Sequence, residues 1–154
     1  MGKISGIYTA SSAGAGVTGH SQVSLKAGKG IVGDRYYSET GKNRSSHNGQ
    51  PDWELTLIES EVIDAFNRAT GNRFHHSDFR RNLITEDIRL NDLVGKRFTI
   101  NGLLCFGVQL CEPCASLQRR LAVQILPDLV GKGGLRAQIL GNAVVRVGDS
   151  IEPA

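Results

Sequence analysis

Residues 96–110, KRFTINGLLCFGVQL, constrain the fold of this chain more than any other stretch. Two β-favouring runs flank Asn101-Gly102, the pair that best tolerates the positive φ angles of a two-residue type I′ turn. A hairpin is therefore predicted with its turn at those two positions. Composition points the same way. Glycine accounts for 19 of the 154 residues, scattered without period, as many tight turns between short strands would require.

The remaining pattern is also mostly β. Lys3 to Thr9 read as a first strand, and Val23 and Leu25 around Ser24 as a second short one. The polar stretch SETGKNRSSHNGQPD is a loop of roughly 15 residues, a length that usually goes with function or mobility. Within WELTLIESEVIDAFNRATGNRF, the 3–4 spacing of Ile58, Val62, Ala65, Phe66 and Ala69 predicts a helix, with Gly71 as its C-cap. Leu83 to Thr85 form a strand, ASLQRRLAVQIL reads as helical, and GLRAQIL-GN-AVVRVGDSIE as another hairpin or strand pair. Strands outnumber helices and show no βαβ alternation. The expectation is a mainly β protein, a β-barrel with one or two packed helices, as a single domain over residues 1–154.

Several function classes are disfavoured. A net charge of +3, with 18 Lys and Arg that form no long run and do not interleave with aromatics, gives no footprint for nucleic acid. No segment approaches the roughly 20 apolar residues of a membrane span, and the start does not read as a signal peptide. Three cysteines, an odd number, do not make a secreted disulfide framework, so a cytoplasmic setting is expected. Gly14 to Gly19, GAGVTG, match the dinucleotide fingerprint G-x-G-x-x-G, and Asp34 lies 20 residues after Gly14. That fingerprint needs a helix opening at its third glycine to hold a pyrophosphate. The next residues, HSQVSLKAGKG, alternate like a strand, so a glycine loop is expected instead.

The segment VQLCEPCASLQRR carries the chemistry. Cys105, mid-strand between Leu104 and Phe106, reads as a small buried hydrophobe. Cys111 and Cys114 come after the strand, and four readings fit them. A structural zinc site would need a second ligand pair, and His47, His75 and His76 lack the spacing. A thioredoxin-like redox pair would expect a βαβ setting. Two unreactive cysteines in a turn form the third reading. The fourth is a reactive thiolate: Pro113 can begin a helix at Ala115 to Arg120, placing Cys114 at its N-terminal end. Helix-end amides and nearby arginines would then lower the thiol pKa below its free value of about 8.5. On that geometry Cys114 is a better nucleophile than Cys111.

The order of GIVGDRYY from Gly30, ELTLIESEVIDAF from Glu54, the run from Asp78 through QLCEPCASL, and GGLRAQILGNAVVRVGDSIE from Gly133 resembles the MOSC domain family, named for the C-terminal domain of molybdenum cofactor sulfurases. The resemblance covers most of the chain and implies a β-rich, barrel-like fold. It also implies that Cys114 matches the family cysteine that carries sulfur or ligates molybdenum. Asp34 and Arg35 of GDR, with Arg81 and Asn82 of RRN, match polar positions near the family's pocket. Arginines there suit the phosphate of a molybdenum cofactor (molybdopterin), because a guanidinium donates a planar fork of hydrogen bonds.

The chain looks like the single-domain bacterial kind. It is too short for a pyridoxal-phosphate-dependent desulfurase, so no pyridoxal phosphate site is expected, and a cysteine desulfurase or a molybdoenzyme would be a separate partner. The resemblance implies either a sulfur carrier or sulfurtransferase working through a persulfide, or a component of a molybdenum-dependent reductase. The alternative from another class is a non-catalytic β-barrel module that binds a small anion.

Overall fold

The computed structural model describes residues 2–11, 16–34, 54–111 and 131–154. Seven strands close into a barrel: β1 (Gly2–Thr9), β5 (Leu55–Glu59), β6 (Leu83–Glu86), β7 (Arg97–Ile100), β8 (Leu103–Leu110), β9 (Leu135–Ile139) and β11 (Ser150–Pro153). Their order around the wall is β1-β6-β5-β9-β8-β7-β11, and β11 returns to pair with β1 through Gly2↔Ile151. Every pairing in this ring is antiparallel except β5–β6. A parallel pair needs a crossover, and α1 (Ser60–Thr70) supplies it. Outside the ring, β2 (Thr18–Gly19) adds to β1. A three-stranded sheet is made by β3 (Gln22–Lys26), β4 (Gly30–Ile31) and β10 (Ala143–Arg146), in the order β10-β3-β4.

The predicted hairpin is present. Ile100 pairs with Leu103 and Arg97 with Phe106, and the turn residues Asn101 and Gly102 have φ of 47° and 84°. Inward residues alternate along the strands, as a barrel demands. Ile4, Leu25, Leu57, Phe98, Ile100, Leu135 and Ile151, all at 0% exposure, meet in one core. Burying each large apolar side chain contributes about 1.5–3 kcal/mol.

The helix differs from its sequence reading at its start and in its face. Leu55–Glu59 are a strand, so Ile58 belongs to β5 rather than to the helix. Leu55–Glu59 pair with β6 on one side and β9 on the other, and that two-sided pairing outweighs the helical periodicity. The face turned inward is Ile63 and Phe66, while Ala65 and Ala69 are not buried. Ile63 and Phe66 join Ile58, Phe79 and Ile84 in a second core between α1 and the wall. Gly71 is the C-cap as predicted, left-handed at φ 74°, its N–H donating to the Asn67 carbonyl.

The second predicted hairpin is not formed as such. The strands exist, but β9 pairs with β5 and β8, β10 with β3, and β11 with β1 and β7. Barrel closure pulls these neighbours in sequence into three different places. The predicted helix ASLQRRLAVQIL and the predicted loop SETGKNRSSHNGQPD lie outside the described residues. After Gly19 the chain enters β3 rather than a helix, so the dinucleotide geometry is not built. Among the described residues no helix is long and apolar enough to cross a membrane.

Candidate functional site

Among the described residues, the polar side chains singled out in the sequence, Asp34, Arg81 and Asn82, lie by the ends of wall strands. Asp34 is buried, at 2% exposure. Its Oδ1 accepts from the Ala10 N–H at 3.0 Å and from Asn82 Nδ2 at 3.4 Å. Asn82 precedes β6 and is held on every side. Its Nδ2 also donates to the Tyr8 carbonyl at 3.2 Å, and its Oδ1 accepts from the Thr56 N–H and hydroxyl at 3.0 and 3.1 Å. Its own N–H donates to Thr56 Oγ1 at 3.0 Å, and its carbonyl accepts from the Tyr8 N–H at 2.7 Å. The side-chain amide of Asn82 is thus engaged within the protein at both its nitrogen and its oxygen, so Asn82 is a frame on which others are placed.

Arg81 faces the other direction. Its Nε donates to the Gly133 carbonyl at 3.0 Å, Nη2 to the Cys111 carbonyl at 3.3 Å and Nη1 to the Phe79 carbonyl at 3.4 Å. A guanidinium has five N–H donors, so two remain beyond these three contacts with described residues. That donor set fits the phosphate of a pterin cofactor only if the anion approaches the outer edge of Arg81. The residue before it, Arg80, is left-handed at φ 61° and ends a 3-10 turn (His76–Phe79), which redirects the chain into β6.

Cys111 comes directly after β8, at 1% exposure, and its N–H donates to the Gly134 carbonyl at 2.7 Å. Gly134 has φ 109°, and a Cβ there would run into the Leu57 carbonyl; glycine lets β9 start close against β5. Cys105 is the small buried hydrophobe the sequence predicts, at 0% exposure. Burial, and then the negative charge of Glu54, push its thiol up to about 12. A thiol held protonated is neither nucleophile nor metal ligand. Cys114 and Arg35, the predicted nucleophile and the predicted second arginine, lie outside the described residues. The structure therefore brings Asp34 to Asn82 and Arg81 to Cys111.

Three participants were not foreseen. Thr56 bridges to Asn82 and Glu54 accepts from the Ile139 N–H at 2.9 Å; each is a buried polar residue in or beside the apolar run of β5, the one signal the sequence offered. His20 Nε2 lies 2.8 Å from Thr9 Oγ1. Thr9, Tyr8, Asp34, Arg80 and Asn82 border a cavity of about 10 Å³, room for about one water. A larger concavity, about 500 Å³, runs along α1 between Val62, Ala65, Phe66 and Ala69 and the charged Glu59, Arg89 and Lys132. Of the predicted site residues that are described, Asp34, Arg81 and Asn82, none lines it. Glu59, half-buried there, has its carboxyl raised above the ordinary range by burial. Among the described residues no cluster of three His, Cys, Asp or Glu could hold a metal ion.

A seven-stranded barrel whose polar residues collect at the strand ends places this chain in a defined class. The chain matches the MOSC domain over residues 44–152. It belongs to the MOSC domain family. Solved structures show the same fold. YiiM from Geobacillus stearothermophilus matches at a TM-score of 0.75 and 17% identity, over 100% of this chain and 75% of that one. The YuaD protein from Bacillus subtilis matches at 0.77 and 16%, over 98% and 94% of the two chains. YiiM from Escherichia coli matches at 0.69 and 18%, over 99% and 69%. None of the curated proteins matches the chain.

Proposed function

We propose that this protein handles sulfur through Cys114, accepting it as a persulfide and passing it on. One observation carries the reading. The dipeptide Arg81-Asn82 touches both Asp34, which precedes Arg35, and the carbonyl of Cys111, three residues before Cys114. Three residues of chain reach at most about 11 Å. Cys114 and Arg35 are thus both tethered within reach of one polar frame, which supports a thiol and a cation acting on the same guest. The step proposed is a thiol–persulfide exchange. The Cys114 thiolate attacks the outer sulfur of a donor persulfide, a new S–S bond forms on Cys114, and the donor cysteine leaves as its thiolate. The donor class is a pyridoxal-phosphate-dependent cysteine desulfurase, and a cytoplasmic setting keeps the thiol reduced.

A molybdenum–pterin centre is the second reading, favoured by the two Arg81 N–H groups beyond its three bonds to described residues. Arg81 and Arg35 would take the cofactor phosphate and Cys114 the metal, with Asp34 and Asn82 as the frame holding both arginines in place. When bound, such a centre would supply two-electron chemistry such as reduction of N-hydroxylated compounds.

The test is intact mass after incubation with a cysteine desulfurase and cysteine. Sulfur handling predicts an adduct present in the parent protein and lost in Cys114→Ser. Metal analysis of protein made in cells that synthesise the cofactor separates the two readings. Should Cys114 alkylate no faster than an ordinary exposed thiol and carry neither sulfur nor metal, the non-catalytic anion-binding module is the function that stands.

A further inference from the structure

Arg81 and Asn82 are consecutive, and they reach in different directions. Asn82, at a bend just before β6, meets Asp34, 48 positions away, while Arg81 meets the carbonyl of Cys111, 30 positions away. The backbone between the two arms is pinned. The Asn82 N–H donates to Thr56 Oγ1, its carbonyl accepts from Tyr8, and β6 begins at the next residue between β1 and β5. Neither arm can shift without moving the other.

Arg81 also spans a gap. Its Nε and Nη2 donate to carbonyls at positions 133 and 111, beside the direct bond from the Cys111 N–H to Gly134. These bonds close the base of segment 112–130. Asp34, at the end of the other arm, precedes segment 35–53.

We propose that Arg81 and Asn82 are positioning residues forming one two-armed clamp, which fixes the Cys111 end of one segment against the Asp34 end of the other. The inference deepens the sulfur-handling reading and rests on it for its purpose, since Cys111 and Asp34 are the described residues from which the chain runs on to Cys114 and to Arg35. Its geometry stands independently. A guanidinium is suited to the task because its planar fork bridges two acceptors at fixed angles; a lysine ammonium is a point charge on a flexible stem.

The protein carries two reporters of this clamp. Cys111 and Cys105 are both shut from solvent, at 1% and 0% exposure. Cys105, mid-strand in the barrel, alkylates only on global opening, whereas Cys111 alkylates on local opening at the clamp. The experiment is native-state alkylation with iodoacetamide, read separately for each cysteine peptide by mass spectrometry. Arg81→Gln is expected to raise the Cys111 rate about tenfold through local opening, with Cys105 unchanged, and Arg81→Lys about threefold. Asp34→Ala, which removes the bonds to Ala10 and Asn82, is expected to raise the Cys111 rate about threefold through the shared backbone.

An effect on global stability alone would move both cysteines together, and a merely local support of Cys111 by Arg81 would leave its rate in Asp34→Ala unchanged. A Cys111 rate in Arg81→Gln equal to that of the parent overturns the clamp, and an unchanged rate in Asp34→Ala overturns the coupling of its arms. Should Arg81→Gln fail to fold, native-state hydrogen exchange of the parent protein gives the same answer. The Cys111 and Asn82 amides are expected to open in one step below the Cys105 amide, and separate openings overturn the proposal. Because neither readout uses Cys114, the clamp and the sulfur-handling reading can fail independently.

Discussion

Cys105 and Cys111 stand six residues apart on one run of chain, and both are closed to solvent. Their surroundings differ entirely. Cys105 faces the barrel interior, where its apolar neighbours and the nearby Glu54 carboxylate leave the thiol protonated up to about 12. Cys111 lies just past the strand end, where its backbone joins Gly134 and Arg81 and its chain leads toward Pro113 and Cys114. The pair separates two regions of the molecule. The wall supplies rigidity and suppresses chemistry; the strand ends, tied by polar side chains, are where chemistry can be placed.

The contrast is broken most severely from the wall side. Phe98→Ala, at a fully buried site, should lower unfolding stability by about 3–5 kcal/mol in a urea titration, because a cavity remains in a closed barrel. The thiol itself gives the next effect. Unfolded, Cys105 ionises near its ordinary value of 9.0, whereas folded it holds its proton to about 12. Its contribution is thus fully present below pH 9 and lost as pH rises from 9 toward 12, at up to about 1.4 kcal/mol per pH unit. Cys105→Ala should remove that part of the alkaline slope, and an identical slope in both proteins would show that the thiol is not insulated.

On the polar side, Asn82→Ala leaves the Thr56 N–H and the Tyr8 carbonyl without a side-chain partner. A loss of about 1–3 kcal/mol is expected in the same titration. The smallest effect belongs to neither region. Gly102→Ala places a Cβ in open space at φ 84°, so only backbone conformation is penalised, at about 1 kcal/mol. A larger cost there would mean that the hairpin turn carries packing as well as geometry.

What could be read from the sequence divides along the same line. The hairpin at Asn101-Gly102 and the helix end at Gly71 were legible because each depends on the φ preference of one or two residues. Cys105 was legible from its apolar neighbours. The inward face of α1 was legible only in part: Phe66, with Val62 beside it, was in the pattern, but Ile63 took the place of Ala65 and Ala69 over the second core beneath the helix. The partners of the last three strands were equally hidden: β9, β10 and β11 succeed one another in the chain and join different neighbours. RRN and GDR were visible as polar clusters, but nothing local distinguishes an arginine that grips main-chain carbonyls from one that faces a guest.

The sequence alone determined the β character, the turn and cap positions and the inertness of Cys105, because these arise from preferences acting within a few residues. Tertiary structure alone decided that β11 closes the barrel on β1, that Asp34 meets Asn82 and that Arg81 meets Cys111. Those contacts join positions 30 or more apart, and their geometry is set by the register of strands around the ring rather than by any stretch of chain taken by itself.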